Sequence, residues 1–435
     1  MSNASIEENR LRYIAKTAQI SYYPIAFVRG EGALLFDADG KRYIDFLSSA
    51  SSANLGHGNK RIAQAVYDQM SQLAQYTFAY FNQEPATRLA EMLTSLVPSD
   101  APMQVLFSTT GSAAIDSAIK LVRGATGRQK IISMYEAYHG STYGSLSLSA
   151  LSLNMRRKIG PLLPEVYHFH YPTADRPWQE CIAEMEYAFK KYLPPEEVAA
   201  IFVEPIAGDM GLVTPPKEWL KALRDICDRY GILLVSDEIQ LALCRTGRWF
   251  AIEHFDVRPD LYVLGKALGG GLPVGAVIGP EKIMSSLEAP AHVFTLAASN
   301  ATMAAAIENL TILKEMDANT VSEQKGDYLR KALESLRDEY PDLIGDIRGF
   351  GLSLGVDIID KEAKANPRAA TSICYSALKD GLVVIFLNQS TLRMQPPLVI
   401  TYEEIDEAVQ ILREALRKTS AGEISAAEIE QVKGW

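Results

Sequence analysis

The chain has 435 residues, 48% hydrophobic and 22% charged, the composition of an ordinary soluble enzyme long enough for two or three domains. Its 43 Lys and Arg against 53 Asp and Glu give a net charge of −10, which argues against a generic nucleic-acid or anionic-membrane binder. Four scattered cysteines without a metal-ligand pattern, no apolar leader in MSNASIEENRLRY and no run of membrane-span length predict a reduced, cytoplasmic setting.

In chain order, residues 5–20 read as a charged helix that ends before Pro24. Residues 33–48 (ALLFDADGKRYIDFLS) read as a hairpin turning at Asp39-Gly40. A loop containing His57 then opens a helix; with no carboxylate or cysteine at motif spacing, His57 reads as a structural loop residue. The strand VLFS runs into Thr110-Gly111-Ser112 and a helix whose apolar positions Ala114, Ala118 and Leu121 recur at helical spacing. A glycine turn that opens a helix presents unpaired N–H groups and a positive dipole end, so Gly111 and Ser112 are candidate anion contacts; a simple cap is the plainer alternative.

The strand beginning IISM leads to Tyr138-His139-Gly140-Ser141, and Tyr138 is either a core residue or an aromatic face for a ring. After a proline- and aromatic-rich loop, His168 and His170 alternate in EVYHFHYP on a short strand or loop with one histidine outward; no further ligands stand at zinc-like spacing. A helix follows at CIAEMEYAFKKYL, then the buried strand AAIFV ends at Glu204-Pro205, with Gly208, Asp209 and Gly211 in the loop beyond. Loops at strand carboxyl ends carry function in open α/β sheets.

Residues 232–278 hold the centre of the argument. A buried run ends at Asp237-Glu238-Ile239-Gln240, and a second, LYVLG, ends at Lys266 before Gly269, Gly270 and Gly271. Low dielectric at a buried strand end favours a neutral, nucleophilic amine, suited to a Schiff base with an aldehyde cofactor. On spacing alone Lys266 also fits a surface lysine. Asp237 at the end of the neighbouring run favours the first reading, because a buried carboxylate there could pair with the ring nitrogen of pyridoxal phosphate. Beyond residue 307 the pattern changes to a smaller α+β domain: a helix, IRGFGLSLGVDI, another helix, LVVIF, and Arg393 ahead of a Pro-Pro turn.

DEIQ, RTGRWFA and GKALGGGLPVGAV together resemble the signature of the class III aminotransferases, the ornithine and 4-aminobutyrate aminotransferase family of fold type I pyridoxal-phosphate enzymes. The resemblance runs from about residue 20 to about residue 418. It implies an α/β fold with a mainly parallel sheet in a large cofactor domain (residues 53–306) and a small α+β domain built from both chain ends (1–52 and 307–435). It implies pyridoxal 5'-phosphate as cofactor, Lys266 as its Schiff-base lysine, Asp237 on the ring nitrogen and Gly111 and Ser112 on the phosphate. Tyr138 and Ile239 would cover the ring faces and Gln240 would bond the phenolic oxygen. Thr295 would be a phosphate ligand supplied to a neighbouring subunit, so that a homodimer shares its sites, and Arg393 would clamp the substrate α-carboxylate.

Departures from the family pattern narrow the expectation. Ala113 and Ile115 replace a common acid and asparagine, and Ala297, Ala298, Ser299 and Asn300 replace the glycines and Asn-Pro usual after Thr295. Ser141 stands where relatives that handle 4-aminobutyrate or ornithine carry an arginine, and it cannot grip a second carboxylate. Asp209 replaces a usual glutamate; in the racemase and 2-epimerase branch of the family an aspartate there serves as a second acid/base opposite the lysine, the alternative being a structural acid paired with an arginine. YTFAYF, AYHGSTYGS, LNMRRKIGPLLP and the terminal Gly-Trp also resemble that branch. The expectation is a racemase or 2-epimerase for an uncharged, branched or apolar α-amino acid, with an aminotransferase as the alternative. Tyr22, Tyr23 and Phe81 are candidates for the side-chain pocket.

Overall fold

The computed structural model describes residues 1–20, 22–430 and 432. Gly434 and Trp435, part of the resemblance noted above, lie outside them. The chain forms two compact units: Met1–Asn59 with Arg245–Gly247 and Ala318–Trp435, and Lys60–Cys244 with Arg248–Asp317. Fifteen strands are described: β1 (Phe27–Glu31), β2 (Leu34–Asp37), β3 (Arg42–Asp45), β4 (Met103–Ser108), β5 (Lys130–Met134), β6 (Val166–Phe169), β7 (Val198–Val203), β8 (Leu233–Asp237), β9 (Leu261–Leu264), β10 (Gly275–Pro280), β11 (Ile344–Phe350), β12 (Ser353–Ile358), β13 (Leu382–Val383), β14 (Ile385–Leu387) and β15 (Thr391–Met394).

The second unit is built on a seven-stranded sheet in the order β4-β10-β9-β8-β7-β5-β6. β9, β8, β7, β5 and β6 run parallel, while β10 is antiparallel to both of its neighbours. Every residue of β7 (VAAIFV) and β9 (LYVL) is buried, as strands covered on both faces require; their continuous apolar runs show no alternation for this reason. The helix Gly111–Thr126 packs Ala114, Ile115, Ala118 and Val122 against Ala200, Phe202, Val235 and Val263. Ile115 is fully buried there, so the departure from the family asparagine adds an apolar anchor to the core.

In the first unit β1, β2 and β3 form an antiparallel sheet, and β13, from the other end of the sequence, pairs in parallel with β3 (Leu382↔Ile44). The Asp39-Gly40 hairpin forms, with Asp37 Oδ1 accepting from the N–H groups of Asp39 (3.0 Å) and Lys41 (2.8 Å). His57 has a carboxylate partner after all: its Nε2 lies 2.8 Å from Asp45 Oδ2, a pairing that only the return of the loop onto β3 creates. A second sheet, β11-β12-β15-β14, carries Arg393 on β15. The first helix is shorter than residues 5–20 suggested: it spans Asn3–Tyr13 and buries no residue, so no packed face extends it beyond its local hydrogen bonds. No described helix is long and apolar enough to cross a membrane.

Candidate active site

The carboxyl ends of β4, β5, β7, β8 and β9 converge on one cavity of about 140 Å³, lined by Thr110 to Ser112, Tyr138 to Gly140, Glu204, Asp237, Ile239, Gln240 and Lys266. This is the sheet edge where ligands sit in open α/β folds. β8 and β9 are adjacent, which brings Asp237 and Lys266 to one rim although 29 residues separate them in sequence.

Lys266 follows β9 and opens the short 3₁₀ turn Lys266–Gly269. Its φ of +40° is a left-handed conformation that a side chain pays to adopt, the kind of local strain that collects at functional sites. The carbonyl of Ala267 accepts from Asn309 Nδ2 at 2.9 Å, which holds the turn in place. The backbones pack closely beneath it: a Cβ on Gly265 would lie 3.1 Å from Gly111 Cα, and one on Gly111 would lie 3.0 Å from Ile239 Cδ1.

Asp237 is buried and gripped from behind. His139 Nδ1 lies 2.6 Å from its Oδ2, and the Ile239 N–H donates to its Oδ1 at 3.0 Å. Burial alone would push the His139 imidazole down, but the hydrogen bond and negative charge of Asp237, with Glu204 nearby, outweigh it and raise its pKa above the usual value. The next residue points away: the Glu238 carboxylate accepts from the N–H groups of Ala251 (2.7 Å) and Ile252 (2.9 Å) and closes the following loop. Alternation along an extended strand end thus sends Asp237 to the cavity and Glu238 to the scaffold.

At the opposite rim, Thr110 Oγ1 caps the 16-residue helix by accepting from Ala113 N at 3.2 Å. The N–H groups of the first turn face the cavity with the positive end of the helix behind them. Ser112 Oγ accepts from Ser141 N (3.1 Å), and the Tyr138 hydroxyl lies 3.2 Å from Ser141 Oγ, so Ser141 ties these two walls together. Gln240 Nε2 lies 3.5 Å from Asp209 Oδ1, a long and weak contact, and Gln240 Oε1 is a buried acceptor without a protein partner. Asp209 is 8% exposed and meets the cavity wall through Gln240.

Of the residues singled out from the sequence, Gly111, Ser112, Tyr138, Asp237, Ile239, Gln240 and Lys266 line the cavity, and Asp209 adjoins it. Thr295 is exposed in the same unit, its carbonyl accepting from Gln75 Nε2 at 2.9 Å. Arg393 belongs to the other unit, buried in β15 opposite Gly355 of β12 and Ile385 of β14. Tyr22 and Tyr23, also in that unit, donate their hydroxyls to the carbonyls of Phe386 (3.1 Å) and Val384 (3.2 Å). Phe81 is exposed, its ring 5.1 Å from that of Tyr76.

Two cavity residues escaped sequence reasoning. His139 was visible only as a neighbour of Tyr138, since nothing local announces a partner 98 residues away. Glu204 carried the same signal that singled out Asp237, a carboxylate at the end of a buried strand. It is 8% exposed and accepts from Tyr138 N and Gly208 N, each at 3.0 Å. Burial lifts its pKa to about 7; the His139 charge lowers it, while Asp237 and Asp209 raise it further.

The cavity offers an amine at a strand end, a clamped carboxylate, a helix N-terminus and an unpaired amide oxygen. An aldehyde-bearing pyridine phosphate needs these groups: an amine for its aldehyde, a carboxylate for its ring nitrogen, N–H donors for its phosphate and a polar partner for its phenol.

Comparison with known proteins agrees. The family described as Aminotransferase class-III matches residues 15–416. An isoleucine 2-epimerase of Lentilactobacillus buchneri is 39% identical over 99% of this chain and 97% of its own length. A leucine/methionine racemase of Thermococcus litoralis is 38% identical over 100% of both chains. Among solved structures, a transaminase from the marine bacterium Virgibacillus superposes with a TM-score of 0.90 at 28% identity, covering 97% of this chain and all of its own. The fold is that of the fold type I transaminases and the cofactor is pyridoxal 5'-phosphate. A carboxyl-edge cavity with groups suited to that cofactor, in a chain matched by the family over residues 15–416, leads to one conclusion: the protein is an enzyme of the class III aminotransferase family.

Proposed function

We propose that the protein is an amino-acid racemase or 2-epimerase acting on an uncharged, branched or apolar α-amino acid. The observation that carries this reading is Asp209, a buried acid set against the cavity through Gln240, with Ser141 in place of a guanidinium for a second carboxylate. The printed activities of the 39% and 38% identical relatives, an isoleucine 2-epimerase and a leucine/methionine racemase, support it.

Lys266 would hold the cofactor covalently, with Asp237 at its ring nitrogen, the Gly111 and Ser112 end of the helix at its phosphate, Tyr138 and Ile239 at its faces and Gln240 at its phenol. Bound there, pyridoxal 5'-phosphate supplies an electron sink that makes the substrate Cα–H bond acidic. The residues then divide the work. Arg393 would serve as the clamp for the substrate α-carboxylate. The substrate amine would displace that of Lys266, whose freed amine would take the Cα proton on one face while the carboxyl of Asp209 would deliver a different proton on the other. Inversion results, and solvent restores both groups to their starting protonation states. Asp237, held from behind by His139 at 2.6 Å, would face the ring nitrogen. Thr295 would serve the site of a second copy. The exposed aromatic run Tyr76, Phe78, Tyr80 and Phe81 and exposed Leu296 supply apolar surface for that copy.

The second reading, amino transfer to a 2-oxo acid, is favoured by the wider family and by a 31% identical relative named a probable 4-aminobutyrate aminotransferase of Bacillus subtilis. It differs only in where Lys266 returns the proton. Proton NMR of the holoenzyme with L-isoleucine in deuterated water and no oxo acid, followed by chiral analysis, separates the two. Deuterium at Cα together with catalytic accumulation of D-allo-isoleucine is the expected result. Exchange without inversion, or turnover that begins only when 2-oxoglutarate or pyruvate is added, would make the enzyme an aminotransferase.

A further inference from the structure

Glu204 is the one acid lining the cavity to which the mechanism above assigns no task. It stands at the end of β7, and its carboxylate is buried. Oε1 accepts from the Tyr138 N–H and Oε2 from the Gly208 N–H, both at 3.0 Å. The first bond ends on the segment that covers the cavity with Tyr138. The second ends on the residue before Asp209. One side chain therefore joins the two loops that leave β5 and β7.

The loop beyond β7 is closed at its base by reciprocal bonds between Ala207 and Val213, 3.0 and 3.2 Å long, and at its tip by the Gly208 carbonyl, which accepts from Leu212 N at 3.1 Å. A Cβ on Gly208 would lie 2.4 Å from Gln240 Oε1, so the loop backbone rests directly on the Gln240 amide. Asp209 meets Gln240 through a long 3.5 Å contact. The bond that the Gly208 N–H donates to Glu204, one residue away, anchors the backbone that carries it.

We propose that Glu204 is a positioning residue that ties the Asp209 loop to the Tyr138 segment, and so holds the acid of one cavity face at a fixed distance from the ring-covering residue. The inference rests on the reading of Asp209 as the second acid/base. A buried carboxylate suits the task because its two separate oxygens accept one N–H group from each loop, whereas an amide offers a single acceptor oxygen and turns a donor toward the other side. Burial raises its proton affinity, and the nearby His139 charge offsets part of that rise.

The test uses the full chain, with and without pyridoxal 5'-phosphate, as wild type and as Glu204→Gln. The amide retains the volume but has one acceptor oxygen, so it turns a donor toward one of the two N–H groups. In the cofactor-free chain, hydrogen–deuterium exchange is expected to quicken in the segments around Tyr138 and Gly208 together, with β7 and β8 unchanged. In the holoenzyme, loss of Cα deuterium exchange from the L-substrate is expected to stay within about threefold, while inversion drops by about 100-fold, as a misplacement near 1 Å does. Glu204→Asp, too short to span both loops, is the second variant should the first fail to fold, with the same split expected. Equal losses of exchange and inversion, or unchanged protection at either segment, overturn the proposal. A wild type that never inverts its substrate overturns the reading of Asp209; a wild type that inverts beside a Glu204→Gln enzyme that inverts equally well overturns the role of Glu204 alone.

Discussion

The wall of the cavity made by Lys266, Asp237, His139 and the start of the Gly111–Thr126 helix is braced from behind at every point. Asp237 has two hydrogen bonds from the protein, His139 is fully buried, and the lysine turn is pinned through Asn309. The wall made by residues 204–213 is a loop beyond a strand end, tied to its neighbours by contacts that include the Glu204 carboxylate on Gly208 N and a long Gln240 contact to Asp209. The first wall suits the cofactor chemistry that racemases and aminotransferases of this family share. The second carries Asp209, the proton donor of the proposed function. One fold can therefore run either reaction by changing a loop, because both depend on the same acidified Cα–H and differ in the position of a single acid.

Substitutions on the two walls test this division. The largest effect is expected at Lys266: Lys266→Ala is expected to lose at least ~10⁴-fold in both exchange and inversion, since it removes the amine proposed to bind the cofactor and to take the proton. Loss of the visible absorbance of the bound cofactor accompanies it. Asp209→Asn is expected to reduce inversion by about 10²- to 10⁴-fold while Cα exchange from the L-substrate persists, a split that isotope and chiral analysis of one sample reads directly. Retention of full racemisation by this variant would reduce Asp209 to a structural acid.

His139→Phe tests the bracing of the first wall. It leaves the buried Asp237 oxygen without its 2.6 Å partner, a cost of about 1–3 kcal/mol in unfolding free energy. The pH dependence has a definite sign. A histidine whose native pKa lies above its ordinary value of 6.5 stabilises the fold fully below 6.5 and loses that contribution as pH rises through the native value. The gap in denaturation midpoint between wild type and His139→Phe is therefore expected to narrow as pH is raised above 6.5. A gap that widens would place the histidine neutral throughout. The smallest effect belongs to Gly111→Ala, whose methyl would meet Ile239 at 3.0 Å. Displacing that side chain is expected to weaken cofactor binding by about 1–3 kcal/mol, read as a higher Kd on titrating the cofactor-free chain.

Much of the first wall was legible because its signals are local. A buried apolar run ending in an acid, another ending in a lysine before glycines, and a glycine opening a helix each announce their chemistry over ten residues or fewer. His139 and Glu204 were not legible, since their meaning lies in partners contributed by other strand ends: Asp237 for the first, the backbones of Tyr138 and Gly208 for the second. The same applies to His57, read as an unpartnered loop residue until β3 brought Asp45 to 2.8 Å. The N-terminal helix was read too long because charge pattern says where a helix can form, whereas its length depends on packing that this one lacks.

Through its resemblance to the class III aminotransferases the sequence determined the fold class, the family and the cofactor, because motif order is a property of the chain that survives without coordinates. It also determined that residue 141 cannot clamp a second carboxylate, since a serine has no guanidinium in any conformation. Only the tertiary structure decided which strand ends share a rim, which carboxylates are paired or tethered, and that Glu204 joins two loops, because strand order in a sheet is set by packing between segments far apart in sequence.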